Sequence, residues 1–560
     1  MGRCGVAGSF SSMRCEKNTK RFIVSGISLP VKASRDDAFG KAEKALLKFF
    51  SRDEIISLNI SKRSVDARKK NDIQFVYSVS AEIDSEKTPD AKDLAKCGIT
   101  VSASPAIDAA PGTEKLGGRP VVVGFGPGGM FCAYILAKYG YKPIVIERGS
   151  SVKKRIKDVE LFREKQILNT ESNIQFGAGG AGTFSDGKLM TRINDGLCGF
   201  VIDTFHKLGA PDNILYEAKP HIGTDYLVKI VDNMLGELVS LGAEVRFDTR
   251  MDGISESLGK VKKIQTSQGE IDCGALVLAL GHSARDTVKA LRQRNLIVMP
   301  KAFSVGVRIE HLQENIDRAM YGKFADSGLL PHAEYSLSTH IDGRGVYTFC
   351  MCPGGEVVAA ASEEHGVVTN GMSRHSRDGK NANSAVCVSV LPEDFGGTVE
   401  AGENFVRNIE RRAFSVGGNG YFAPAQTVGS LLRGQKNEVG GVFPTYMDGK
   451  VTMTEISGVF PGFVPNALRA ALSDFDRKIK GFACDDAMLT APETRTSSPV
   501  RMPRNPETFI AEGFDNIYPC GEGAGYAGGI TSAAVDGIKT ALAIIKRYSD
   551  KTNPSGGKDV

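Results

Sequence analysis

No apolar run in the 560-residue chain approaches the ~20 residues that a membrane-spanning helix needs; the longest, around Ala275 to Leu280, is far shorter. No disulfide framework or zinc-ligand set is visible either. The eleven cysteines fall without regular spacing, and Cys350-Met-Cys352 is the only close pair. That usage fits the reduced thiols of an intracellular, cytoplasmic protein. A large excess of either charge is absent: the formal net charge is +5, so nothing demands a nucleic-acid partner. The start MGRCGV fails the myristoylation pattern because Val6 stands where Ser or Thr is required. Residues 1–50 do hold ten Lys/Arg against four Asp/Glu, and the basic, serine-containing start has the composition of a plastid or mitochondrial transit peptide, an organelle alternative to the cytoplasm. A Ser/His/Asp triad and a second nucleotide fingerprint are also missing.

What is abundant is glycine. The 64 glycines exceed the usual share of about 7% and cluster between apolar runs, the pattern of tight turns and close backbone approach to a ligand. Length alone predicts several lobes. We read residues 1–20 as a flexible start and 21–84 as a small α+β domain, in which FIVSGISLPV and Ile73 to Ile83 alternate and DDAFGKAEKALLKFF has helical spacing. Residues 85–119 read as a linker and 550–560 as a disordered tail. Between them lies the catalytic body.

That body opens with PVVVGFGPGGMFCAYILAKYGYKPIVIERG, residues 120–149. Gly124, Gly126 and Gly129 form GxGxxG where an apolar strand gives way to a helix. The first glycine permits the turn, the second lets the backbone approach a pyrophosphate, and the third lets helix and strand pack closely. The helix start then offers unpaired N–H groups and a positive dipole end to phosphate. Glu147 ends the next strand, where a carboxylate can accept hydrogen bonds from a ribose diol. A second formal match, Gly177, Gly179 and Gly182, precedes TFSDGK and no helical run, so it is a glycine loop.

NAD and FAD share this cradle, and the choice between them rests on two segments further along the chain. IDCGALVLALGHSAR gives an apolar strand ending at Gly281, and NIYPCGEGAGYAGGITSAAVDG gives a short strand, Gly521-Glu522-Gly523, and a Gly528-Gly529 pair opening a long helix. Together with the fingerprint, this three-part series resembles the FAD-binding domain of the glutathione-reductase class. The resemblance implies that a late acidic residue holds the ribitol chain, here Glu522 in place of the usual Asp, and that the last helix points its N-terminus at the flavin. Such a helix end would stabilise the negative charge of a reduced flavin.

The blocks ESNIQFGAGGAGTFSDGKLMTR, LALGHSARDT, FSVGVRIEH, CMCPGGEVVAAASEEHGVVTNGMS, ETRTSSPVR and CGEGAGYAGGITSAAVDG resemble a large family of FAD-dependent dehydrogenases or FAD/NAD(P)-binding oxidoreductases, over most of residues 20–545. The expected fold is α/β, a Rossmann-like FAD-binding domain of the glutathione-reductase class in three parts (120–190, 248–299 and 493–549). An α+β substrate or cap domain is inserted, with 191–247 and 300–492 assigned to it. The expected function is an FAD-dependent oxidoreductase transferring hydride between flavin N5 and a small molecule. With one fingerprint, NAD(P)H would act as a transient electron donor.

The candidate cofactor contacts are Gly124, Gly126, Pro127, Gly128, Gly129, Glu147, Arg148, Gly180, Gly182, Thr183, Lys188, Met251, Ala279, Gly281, Gly521, Glu522, Gly528, Gly529 and Ile530; no metal ligand is assigned. The candidate catalytic residues are His282, Arg308 and Arg495. His282 is either a proton shuttle or a packing residue. Each arginine is a rigid fork suited to a substrate carboxylate or phosphate, or else the partner of an acid such as Glu310 or Glu493. Cys350 and Cys352 invite a flavin-to-dithiol relay but lack the spacing of familiar redox pairs, and Pro353-Gly354-Gly355 ends the segment in a turn. The alternative function is an FAD-containing RNA-modifying or RNA-binding protein, with Arg52, Lys62, Arg63, Arg68, Lys69 and Lys70 touching phosphate.

Overall fold

Short strands of alternating hydrophobicity and one capped helix build the N-terminal part of the chain. The computed structural model describes residues 19–102 and 107–549; the expectations of a transit-like start and a disordered tail lie outside them. Chain contacts separate two units, Met1–Ser104 with Tyr216–Ala218, and Pro105–Leu215 with Lys219–Val560.

In the first unit, strands Thr19–Pro30, Ile55–Asp66, Gln74–Asp84 and Ile99–Ser102 form an antiparallel sheet in the order second, third, first, fourth. Along Gln74–Asp84 the buried side chains include Phe75, Tyr77, Val79, Ala81 and Ile83, the two-residue period of a strand with one face on the core. Helix Arg35–Leu46 covers that face with Ala38, Ala42 and Leu46. It begins in a capping box: the Asp37 amide donates to Ser34 Oγ at 3.2 Å, and the Ser34 amide donates to the Asp37 carboxylate at 2.8 Å. The linker expected from residue 85 starts later than the sequence suggests. Helix Ala91–Lys96 and strand Ile99–Ser102 still belong to this unit, the strand pairing with Arg21–Val24. A four-residue edge strand carries too short a pattern to be recognised.

The second unit is mixed α/β. Its parallel sheet runs Ile517–Pro519, Ala275–Leu278, Pro120–Val123, Ile144–Ile146, Glu244–Arg246. Alternate residues serve opposite faces. Val122, Val145 and Val277 join the apolar cluster that holds Phe131, Ile135, Ile538 and Ile544 of helices Pro127–Lys138 and Ile530–Arg547. Val121, Val123, Ile144 and Ile146 join Ile254, Val261 and Ile264 of a three-stranded antiparallel sheet, Met251–Ser257, Lys260–Thr266 and Gly269–Asp272. The stretch 191–247, expected in the cap, is part of this layer structure instead. Helix Thr224–Ser240 buries Leu227, Ile230 and Met234 in the first cluster, and Glu244–Arg246 is the sheet's edge strand. That strand is only three residues long and its burial is partial, so its sequence resembles a polar connection.

Residues 303–493 supply a seven-stranded sheet centred on Phe303–Leu312 and Asn381–Val390, antiparallel except for its last pair, with helices Val399–Val416 and Phe463–Lys478 packed on it.

The two long helices of the parallel layer touch backbone to backbone. A methyl group at Gly537 would collide with the Gly128 carbonyl oxygen. We expect Gly537→Ala to destabilise the unit by about 1–3 kcal/mol, the usual cost of overpacking. Gly236→Ala, on an exposed face of Thr224–Ser240 with open space around it, should stabilise by about 0.5–1 kcal/mol in the same denaturant titration.

Candidate cofactor and active site

Three glycine-rich segments meet at the carboxyl end of the parallel strands. The first is the turn after Pro120–Val123. Gly124 has φ +106°, and any side chain there would strike the Ala279 carbonyl oxygen, while a side chain at Gly129 would strike that of Gly124. These two glycines are required by the fold. Gly126 is different: its φ is −83°, and a methyl group would meet nothing nearer than Gly180 Cα at 3.7 Å. It caps helix Pro127–Lys138, whose first turn carries no acidic residue.

The second segment is the loop leading into the tight helical turn Gly180–Phe184. Gly177, Gly179 and Gly180 all have positive φ, which only glycine adopts readily. Gly180 packs on Gly126, and Gly182 faces the side chains of Ile530 and Pro127. Arg155, fully buried, holds the loop: its guanidinium donates to the carbonyls of Asn173 (2.9 Å), Ile174 (2.9 Å) and Ala178 (2.6 Å). Burial pulls its pKa down to about 10 against the favourable field of Glu147, so it remains charged. Thr183 donates to Ala178 O at 3.1 Å within the same loop.

The third segment precedes helix Ile530–Arg547. Gly523 lies against Gly281, so the ends of two neighbouring strands abut. The Gly521 amide donates to Asp536 at 2.7 Å, and Asp536 also pairs with Arg504 at 2.5 Å. Gly528 and Gly529 are exposed, and a methyl group at either would meet nothing within 4 Å. Gly529 is extended, with φ 162°, so neither packing nor conformation requires glycine there. The first turn of this helix again lacks an acid.

Several expected contacts have other partners in the structure. Glu147 is buried and accepts hydrogen bonds from the amides of Phe125 (2.8 Å), Gly149 (2.9 Å) and Gly177 (2.9 Å), tying the turn to the glycine loop. That leaves about one of its four lone-pair positions for a ribose. Arg148 pairs with Asp286 (2.8 Å) and Glu171 (3.1 Å) and stacks on Phe176. Met251 is a core residue, 2% exposed, in the cluster with Ile254 and Val261. The amide of Gly521 is taken by Asp536. Burial pushes the Glu522 carboxyl up to about 7, with the Lys301 ammonium pulling it back, so near neutrality it exists in both protonation states.

Among the catalytic candidates, His282 and Arg495 are brought together through Ser283. The Arg495 guanidinium donates to Ser283 Oγ at 2.8 Å, and His282 Nδ1 lies 3.0 Å from the same oxygen. Burial and the Arg495 and Arg285 cations lower the His282 pKa to about 3, so its imidazole is neutral at physiological pH. Arg495 pairs with Glu410 rather than Glu493, and Glu410 also binds Arg285. Glu410 comes from helix Val399–Val416, about 85 residues before Arg495, and nothing in the sequence linked the two.

Arg308 stands in a separate buried group. It is fully buried, pairs with Glu493 at 2.9 Å, and donates to Cys350 O (2.9 Å), Asn383 Oδ1 (3.2 Å) and Asn370 Oδ1 (3.2 Å). Lys188, at the end of the glycine loop, pairs with Asp186 at 2.5 Å, and Asp186 also binds Arg377 and the Ser373 hydroxyl. Ser373 in turn lines a cleft of about 520 Å3 together with Arg374, Lys380 and Phe443. Burial opposes ionisation of Asp186, but the Lys188 and Arg377 cations hold it ionised.

In the N-terminal unit, three cations proposed for RNA are paired within that unit: Arg52 with Glu43, Arg63 with Glu217 and Arg68 with Asp66. Among the described residues no helix is long and apolar enough to cross a membrane.

Residues 302–496 match the family model described as FAD-dependent protein, C-terminal domain-like, and residues 24–82 match a domain of unknown function. A Clostridium beijerinckii protein, described as uncharacterized, is 48% identical over 525 residues, which cover 92% of this chain and 98% of that protein. Solved structures that align include L-amino acid deaminase from Proteus vulgaris, at 10% identity and TM-score 0.33 over 79% of this chain and 93% of that one. CtdE in complex with FAD aligns at 13% identity and TM-score 0.30, over 76% and 83% of the two chains.

Glu410 is the residue on which two buried guanidiniums depend. Burial raises its pKa, but Arg285 and Arg495 outweigh that and hold it at about 2. Glu410→Gln should cost about 3–5 kcal/mol at pH 7, as loss of one member of a buried ion cluster does. Because the folded pKa is depressed, the stabilisation is present above the ordinary carboxylate value and is lost as pH falls through about 2. The gap between wild type and variant should therefore narrow below pH 4.5 and close near pH 2, read from urea midpoints.

Proposed function

The chain belongs to the protein family of its clostridial relative and contains a domain of the FAD-dependent C-terminal type, and on that premise we propose that it is an FAD-binding oxidoreductase with a dinucleotide-binding domain of the glutathione-reductase class. Its substrate would be a small molecule bound under the inserted seven-stranded sheet, for which FAD, when bound, would supply hydride-transfer chemistry at N5. NAD(P)H, for which the chain has no second fingerprint, serves as a transient electron donor.

One observation carries the reading. Gly126, Gly528 and Gly529 are glycines that neither crowding nor a positive φ requires, and they stand at the N-termini of the two helices that lead away from the sheet, Gly126 and Gly529 as their caps. Glycine at such positions keeps the backbone open to a ligand. The turn Gly124–Gly129, the loop Gly180–Thr183 and the segment Gly528–Ile530 would hold the cofactor. When bound, FAD supplies two-electron chemistry that no side chain of the protein supplies.

The remaining roles belong to the chain. The two helix starts, free of acidic side chains in their first turns, place N–H groups and positive dipole ends where an anion gathers. Glu147 and Arg155 fix the glycine loop against the first turn, so the donors are set before any ligand arrives. His282 stays neutral in the resting protein, where the Arg495 and Arg285 cations oppose its protonation; it suits hydrogen bonding to substrate, with its Nδ1 3.0 Å from the Ser283 hydroxyl that Arg495 holds.

Gly126→Ala and Gly529→Ala separate this reading from a purely structural one. We expect both variants to lose only about 1 kcal/mol of stability, the usual cost of alanine at a helix N-cap, while losing at least about tenfold in FAD affinity, measured by quenching of flavin fluorescence on apo-protein. Variants that bind FAD as wild type does would contradict the assignment.

A further inference from the structure

Flavin chemistry at the glycine-lined volume leaves the Cys350-Met-Cys352 pair unused, although the pair occupies an unusual place. The strand Arg344–Cys352 follows the register of its neighbour Asn381–Val390 from Val346 to Phe349 and then slips before Cys352. At the slip Cys350 adopts φ +47°, a left-handed conformation that a side chain-bearing residue rarely takes. In a regular strand, residues two apart sit about 7 Å from each other on one face. Here the Cys352 side chain instead folds back on Cys350, and its Sγ donates to Cys350 O at 3.3 Å. The fully buried Arg308 holds this arrangement through its 2.9 Å bond to the Cys350 carbonyl.

The two sulfurs differ in setting. Cys350 is part-buried, whereas Cys352 is fully buried. The groups acting on them are the cations Lys188 and Arg308 and the acids Asp186 and Glu493, with the Cys387 thiol behind. The Cys352 thiol, followed by the Lys188 and Arg308 cations, holds Cys350 down at about 6, against burial; the Cys350 sulfur and burial drive Cys352 well up. An accessible, cation-stabilised thiolate beside a buried, protonated thiol is the asymmetry of an attacking and a resolving cysteine.

We propose that Cys350 and Cys352 form a redox-active dithiol that reduces a disulfide of a small thiol compound or of a protein. The Cys350 thiolate attacks one sulfur of the incoming disulfide. A Cys350–sulfur bond forms, the incoming S–S bond breaks, and the released thiolate takes up a proton. Cys352 then loses its proton and attacks the Cys350 sulfur, releasing the second thiol. The protein pair is oxidised by two electrons and the partner disulfide is reduced to two thiols. The Arg308 clamp and the left-handed turn fold the Cys352 side chain onto the Cys350 backbone, which CxC spacing in a regular strand does not do. This site does not depend on FAD being bound.

Glutathione disulfide, added to the full reduced chain, tests the proposal by mass spectrometry of non-reduced digests. Wild type should yield a peptide with Cys350 joined to Cys352. Cys352→Ser should stop at one glutathione on Cys350, and Cys350→Ser should leave Cys352 unmodified. A disulfide or adduct confined to other part-buried thiols, such as Cys97 or Cys484, would overturn it. An independent readout is iodoacetamide labelling at pH 6. There Cys350, its thiolate favoured by the neighbouring cations, should label at least about tenfold faster than Cys97. Lys188→Met should move the labelling midpoint to higher pH, and Lys188→Arg should restore it. Labelling of Cys350 no faster than Cys97, or a midpoint that ignores the charge at 188, would contradict the proposal.

Discussion

Backbone pressed directly against backbone, with no side chain between, is the constraint on which the larger unit depends. Gly124 lies against Ala279, Gly129 against Gly124, Gly523 against Gly281 and Gly537 against Gly128. These contacts draw three strand ends and the start of helix Pro127–Lys138 into one small volume. The same contacts set Gly126, Gly528 and Gly529 apart, because those glycines have no such partner.

Around this centre the protein uses buried charge as scaffolding. Arg155 satisfies three loop carbonyls, Glu410 joins Arg285 to Arg495, Asp186 joins Lys188 to Arg377, and Arg308 braces Glu493 and the Cys350 bulge. Groups of this kind contribute little net stability compared with apolar replacements, yet breaking one leaves a costly unpaired charge. Two of these pairs join the inserted region to the glycine-rich layer: Glu410 to Arg285 and Arg377 to Asp186.

How much of this was legible in the sequence depends on how local each signal is. The fingerprint turn, its helix and the alternating strands of the N-terminal unit are written in contiguous residues, and the structure has a strand, turn and helix at 120–138 and strands at 19–30 and 74–84. The edge strands Ile99–Ser102 and Glu244–Arg246 were missed because three or four residues carry no period. Met251 was placed at the cofactor, yet its side chain faces the core, a matter of which strand face it occupies. The Glu410 bridge was invisible because its members lie 85 and 125 residues apart. The left-handed turn at Cys350 was equally hidden, since the spacing Cys-Met-Cys argues against a working pair until the backbone is seen to bend.

The central claim is that the glycine-lined volume binds FAD and that the bound flavin is redox-active. The most direct measurement is the absorbance spectrum of the protein reconstituted with FAD and freed of excess, monitored anaerobically on addition of NADH and then NADPH. The account predicts a retained oxidised-flavin spectrum that bleaches with one of the two nucleotides. A protein that retains no flavin after reconstitution would contradict it.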